Sequence, residues 1–115
     1  MNYDNMSDFE INKAVALLYP FSESKCLGYD PDKVFIREHP EDDPSGEMSF
    51  TEYDPCNNPS DAWPIIEANN ISVQNWDDYS RAWVSDNCDI EFHDEESCRG
   101  LRAAMIVYLM MQESK

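Results

Sequence analysis

An unbroken apolar run at residues 103–111 constrains this chain more than any other feature of its sequence. It reads as the body of a helix over about residues 98–112, and a helix apolar on every side leaves no face for water. The run is about half the ~20 residues that a bilayer span needs. It therefore demands cover all round: a sheet beneath, and either a neighbouring helix or a second subunit above. The neighbouring helix is the expected solution. Met110 and Met111 would give that surface some adaptability.

The elements that could supply the cover follow from local patterns. Ser7-Asp8-Phe9-Glu10 is a capping box, with Met6 and Ile11 placed as a hydrophobic staple. Ile11, Ala14, Val15 and Leu18 then recur at helical spacing until Pro20 ends the helix. Residues 27–37 read as a loop followed by a strand at 33–37, rich in β-formers, with residues 49–53 as its returning partner. Between them lies a polar loop holding His39, Pro40, Pro44 and Gly46. Asn57-Asn58-Pro59-Ser60-Asp61 starts a second helix over about residues 60–69. Asn58 or Ser60 caps it, and Asp61 sits at the positive end of its dipole. Ala62, Ile65 and Ile66 face the core, Trp63 edges it, and Pro64 is tolerable if it falls in the first turn.

The period then shortens to two. Residues 71–74, 82–85 and 90–92 alternate, with Asp86-Asn87 as a turn, and predict a three-stranded antiparallel meander. On its last strand Ile90 and Phe92 point inward, while Asp89, Glu91 and His93 point out. Asp94, Glu95, Glu96 and Ser97 place acids and a cap ahead of the final helix. The expected product is one acidic α+β domain over residues 1–115, an antiparallel sheet flanked by about three helices. Its order is helix, two strands, helix, three-strand meander, helix, and residues 30–54 form an acidic hairpin arm.

Charge bears on partners. Eight Lys and Arg against 24 Asp and Glu give a formal net charge of −16. Such a surface repels phosphate backbones and anionic head groups, so neither direct nucleic-acid binding nor membrane binding is expected. Basic proteins are the partners it suits. Within residues 30–54 nine acids stand against Lys33 and Arg37 alone. The first ten residues have no basic region and no apolar run, so no secretory leader is expected. A cytoplasmic setting follows, with reduced thiols at Cys26, Cys56, Cys88 and Cys98.

The chain carries no recognisable catalytic pattern. His39 lies in a proline-rich loop and His93 at a strand end, and neither neighbours a glycine-framed nucleophile. Cys88, His93 and Cys98, with Cys56 or an acid, have the wrong spacing for zinc. The acids at residues 86–91 lack the glycine and the closing glutamate of an EF-hand loop. Three glycines leave little for a phosphate cradle. No enzyme activity, cofactor or metal is expected. Trp63, Trp76 and Trp83 could stack a small ligand, though core packing also accounts for them.

Two segments carry a family resemblance. They are Cys56-Asn57-Asn58-Pro59-Ser60-Asp61-Ala62-Trp63-Pro64-Ile65-Ile66-Glu67 and Leu101-Arg102-Ala103-Ala104-Met105-Ile106-Val107-Tyr108-Leu109. With the opening Ser7-Asp8-Phe9-Glu10-Ile11-Asn12, they resemble the NinX-like proteins of lambdoid phages, a family of unknown function. More distantly the chain looks like small phage proteins with an α/β/α sandwich domain. The likeness spans most of the chain but leaves out the acidic residues 30–54. It implies a phage or prophage accessory protein in a bacterial cytoplasm, and it brings no catalytic residues. Joined to the charge, it predicts a non-enzymatic module, monomer or homodimer, that binds a basic host or phage protein. Nucleic-acid mimicry is the sharpest form of that expectation. The interacting residues would be Asp77, Asp78, Asp89, Glu91, Asp94, Glu95 and Glu96. A small-ligand sponge is the alternative, and it would need Arg81, Arg99 and Arg102 to converge on one pocket.

Overall fold

The capping box forms as its spacing predicts: the Glu10 amide donates to Ser7 Oγ at 3.1 Å and the Ser7 amide to Glu10 Oε1 at 3.5 Å. It opens helix α1, Asp8–Leu18. In the computed structural model the described residues are 3–19, 25–29, 32–38, 49–84, 87–94 and 99–113. A 3-10 turn at Tyr3–Asn5 leads into α1. Three strands follow, β1 (Lys25–Tyr29), β2 (Val34–Glu38) and β3 (Ser49–Tyr53), then helix α2 (Pro59–Ala68). A second set of strands, β4 (Ile71–Asn75), β5 (Ser80–Val84) and β6 (Asn87–Asp94), precedes α3 (Gly100–Glu113). The fold class is α+β, in the expected order.

Two details of that order differ from the sequence reading. Residues 25–29, within and just before the stretch read as a loop, form β1, whose glycine and sparse β-formers mask its pairing with β2. The strands also make two separate antiparallel sheets, β1-β2-β3 and β4-β5-β6. The polar loop expected over residues 39–46 lies outside the described residues, as do Ser85, Asp86 and Ser97. Asn87, expected in a turn, is already in β6.

Helix α3 is the centre of the molecule. Residues 102–109 are all buried, with Ala103, Ala104, Met105, Ile106 and Val107 fully so. One side of α3 lies on β4, β5 and β6, and the other meets α1 and α2. A neighbouring helix layer thus provides the cover that the apolar run demands. The start of α3 is fixed by the sheet beneath it: the Arg99 amide donates to Ser80 Oγ at 2.9 Å, and the Gly100 amide to Asn75 Oδ1 at 2.9 Å. Gly100 has to be glycine for that fit, because a Cβ there would stand 2.5 Å from Val73 Cγ1.

The second helix obeys its start signals. Asn58 is the cap, accepting from the Ser60 amide at 3.0 Å, with Pro59 at the first position. Pro64 falls in the second turn rather than the first, and its ring is exposed. Asn70, at φ 54°, takes the left-handed position that ends the helix and sends the chain into β4. Trp63 departs from expectation. It is 60% exposed, because the buried stripe of α2 is Ala62, Ile65 and Ile66.

The first helix is rotated from the predicted stripe. Its buried residues are Ile11, Asn12, Val15 and Ala16, whereas Leu18 is 48% exposed. Asn12 turns inward because its amide has work on both sides: Nδ2 donates to Asp54 Oδ1 at 2.8 Å, and Oδ1 accepts from the Cys56 amide at 3.1 Å. A buried side-chain amide is stable only when paired in this way.

Candidate functional site

Three places deserve a chemical reading: the junction of the helix starts, the metal-ligand candidates, and the face of the second sheet turned away from α3.

The junction gathers the N-terminal ends of α1, α2 and α3 around Asp8. Its Oδ1 accepts from Arg99 Nη2 at 2.7 Å and lies 3.2 Å from Arg102 Nε; its Oδ2 accepts from Asn57 Nδ2 at 3.1 Å. Arg102, buried, also donates to the carbonyls of Tyr3 at 3.1 Å and Met6 at 2.8 Å. Asp54 is held by Asn12 and Asn57, and its amide donates to Asp61 Oδ2 at 3.0 Å. Every carboxylate here faces a donor. Cys56 sits among them with a free, buried thiol, which burial first, and then Asp8 and Asp54, push up from its ordinary value. A thiol held in its protonated form is a poor nucleophile. The junction fastens the starts of the three helices to one another.

The metal candidates do not assemble among the described residues, where no group of three or more His, Cys, Asp and Glu could hold an ion. Cys56 lies at the junction, His93 on the second sheet, and the Cys88 and Cys98 side chains are outside the described set. No helix among the described residues is long and apolar enough to cross a membrane.

The second sheet has two unlike faces. Ser80, Ala82 and Val84 of β5 are buried beneath α3, and Ile90 and Phe92 of β6 pack against the same core. The pairing register puts Ser72, Trp83 and Glu91 in one outward row and Gln74, Arg81 and His93 in the next. Beyond them the Trp76 amide donates to the Tyr79 carbonyl at 2.8 Å, closing a four-residue turn. The two rings that flank the turn stack at 4.5 Å between centroids, 16° from parallel, and Tyr79 in turn stacks on His93 at 6.2 Å. Among the described residues no helix covers this outward face.

Arg81 organises the middle of the face. Its guanidinium lies 4.5 Å from the Trp83 ring centroid, within cation–π range. It also donates to Glu91 Oε2, through Nε at 3.0 Å and through Nη2. The hydrogen bond from Arg81 holds Glu91 below the usual carboxylate range, with its charge and that of His93 acting the same way. His93 Nε2 stands 3.6 Å from Glu91 Oε1.

The predicted interaction residues divide on this geometry. Asp77 and Asp78 are exposed at the tip of the Trp76–Tyr79 turn. Glu91 lies on the outward face as expected, but it is paired with Arg81. Asp89 and Asp94 belong to β6, though their side chains lie outside the described residues, as do Glu95 and Glu96 altogether. Nor do the three arginines meet in one pocket: Arg99 and Arg102 converge on Asp8, while Arg81 pairs with Glu91. The sequence singles out Trp76 and Trp83 as rings that could stack a ligand, but not their gathering with Tyr79 and His93 into one aromatic row. Its signal was present in Trp76, Tyr79, Trp83 and His93 at positions of outward parity, once the register of the strands is known.

The family model described as Bacteriophage P22, NinX matches residues 2–112. No curated protein and no solved structure matches the chain.

Proposed function

This chain belongs to the bacteriophage P22 NinX family, and from that premise we propose that it is a non-enzymatic phage accessory protein that binds a basic host or phage protein through the outward face of β4-β5-β6. The observation that carries the reading is the composition of that face. Trp76, Tyr79, Arg81 and Trp83 stand half-buried on a sheet backed by α3, and residues of these types supply most of the energy at protein interfaces. The net charge of −16 supplies attraction at a distance, and Asp77 and Asp78 present part of it beside the aromatic row.

Nucleic-acid mimicry asks for more, namely a row of carboxylates free to stand in for phosphates. Glu91 is committed to Arg81, so the acids on this face steer a partner and the aromatic and arginine side chains hold it. A planar small ligand is the second reading. The Trp76–Tyr79–His93 stack favours it, because its end rings offer flat surfaces to a further ring.

Capture of proteins from a bacterial lysate by wild-type chain, Trp83→Ala and the double variant Asp77→Asn/Asp78→Asn tests the proposal. The wild type retains a defined basic protein that Trp83→Ala loses. The double variant weakens capture, as does raising salt to about 0.5 M, where screening shortens the reach of exposed charge. Capture of the same protein by Trp83→Ala and wild type alike overturns the reading. A mass shift of small-molecule size in native spectrometry, without a protein partner, replaces it with the ligand reading.

A further inference from the structure

A second surface lies away from the sheet face. A groove of about 240 Å³ runs between the Tyr3 turn, α1 and α3, lined by Tyr3, Ala14, Leu18, Leu109, Gln112 and Glu113. Its walls are almost wholly apolar. Beside it α1 leaves two leucines in water, Leu18 at 48% exposure and Leu17 at 64%.

The groove also carries a polar pair. Tyr3 is only 8% exposed, and its hydroxyl faces the Glu113 carboxylate, exposed at the rim, as its hydrogen-bonding and charged neighbour. The combination specifies an occupant. Apolar walls take an apolar side chain, and a carboxylate at the rim takes a cation. Two neighbouring helices form a trough whose natural filler is a third helix. A second copy of this chain is a poor candidate, since it would bring another formal −16 into contact.

We propose that the groove between α1 and α3 is a docking site for an amphipathic helix of a basic partner protein. An apolar side chain enters between Leu18 and Leu109, and an adjacent lysine or arginine reaches Glu113. This site is independent of the sheet face and stands whether or not that face binds anything.

The test uses the full chain and a synthetic helical peptide of about 15 residues, long enough to hold a helix when bound, with leucines on one face and lysines flanking them. The same peptide with glutamates in place of the lysines is the control. Methyl NMR of the protein reads the site directly. The lysine peptide shifts the methyls of Ala14, Leu18 and Leu109, and the glutamate peptide leaves them in place. Leu18→Asp weakens binding by about tenfold or more, equivalent to about 1.4 kcal/mol, although it adds negative charge; Leu18 is exposed enough for the variant to fold. Glu113→Gln weakens binding several-fold, and Trp83→Ala has no effect. Undiminished binding by Leu18→Asp means diffuse charge attraction and overturns the proposal. So do methyl shifts confined to the second sheet, equal binding of both peptides, or a dimer in sedimentation that Leu18→Asp dissolves.

Discussion

Both sheets are three-stranded antiparallel meanders, and they differ in what lies behind them. The sheet β4-β5-β6 rests along α3, whose residues 102–109 are buried, and the inward side chains Ile71, Ala82 and Val84 are buried with it. Among the described residues the sheet β1-β2-β3 lies along no such helix. It meets the core through Val34 and Tyr53, with Leu27 and Ile36 partly buried, and its main helix contact is with α1. Its remaining described residues are largely exposed, among them Tyr29, with Lys13 Nζ 5.1 Å from its ring centroid, and Glu52. Antiparallel pairing alone gives marginal stability, and a sheet becomes firm when a hydrophobic face is covered. The same topology therefore yields a firm platform in one half and a weakly backed arm in the other. The proposed interface follows that division: anchoring side chains must be held in place, and the second sheet is the better backed of the two.

The comparison can be broken most forcefully at α3. Ile106→Ala empties a fully buried site between the second sheet and the helices, and should lower global stability by about 3 to 5 kcal/mol. Thermal unfolding would show the midpoint falling by about 10 °C or more. A small shift would mean that α3 is not the common support.

Val34→Ala sharpens the contrast. It removes the best-buried side chain among the described residues of the first sheet and should cost about 2 kcal/mol. Hydrogen exchange should show protection lost in β1, β2 and β3 while β4, β5 and β6 keep theirs. Equal losses in both sheets would mean that the two unfold as one unit.

The smallest effect concerns the joint between the two halves, where Cys56 separates β3 from α2. Its folded-state pKa is raised by burial above that of an unfolded thiol, about 8.5. Below about pH 8.5 both states keep the proton, so the contribution is complete. Above it the unfolded chain ionises and the folded one does not, so stability falls by up to about 1.4 kcal/mol per pH unit. Denaturant midpoints at about pH 8, 9 and 10 should fall faster for wild type than for Cys56→Ala, and parallel curves would show that the thiol ionises freely in the fold.

Much of the architecture could be read along the chain because it rests on neighbours. Ser7 and Glu10 are three positions apart and Asn58 and Ser60 two, so the starts of α1 and α2 are written in adjacent residues. The alternation of β4 to β6 and the all-round apolar character of α3 are likewise local patterns. Strand β1 was hidden because Lys25, Cys26 and Gly28 carry little β signal, and its place depends on β2. The stripe of α1 was misread by a few residues for a similar reason. Only Asp54 and Cys56, more than 40 positions away, explain why Asn12 turns inward.

The candidate interface shows the same boundary more sharply. The charge, the fold class, the helix starts and the need to cover residues 103–111 are legible along the chain, since these depend on composition and on spacings within a few residues. Tertiary structure alone decided that Arg81 neutralises Glu91, that Trp76, Tyr79 and His93 share a face, and that Asp8 fastens Arg99 from 91 positions away. Strand register and helix docking set those contacts, and a one-residue slip in register would send each of the sheet side chains to the opposite face.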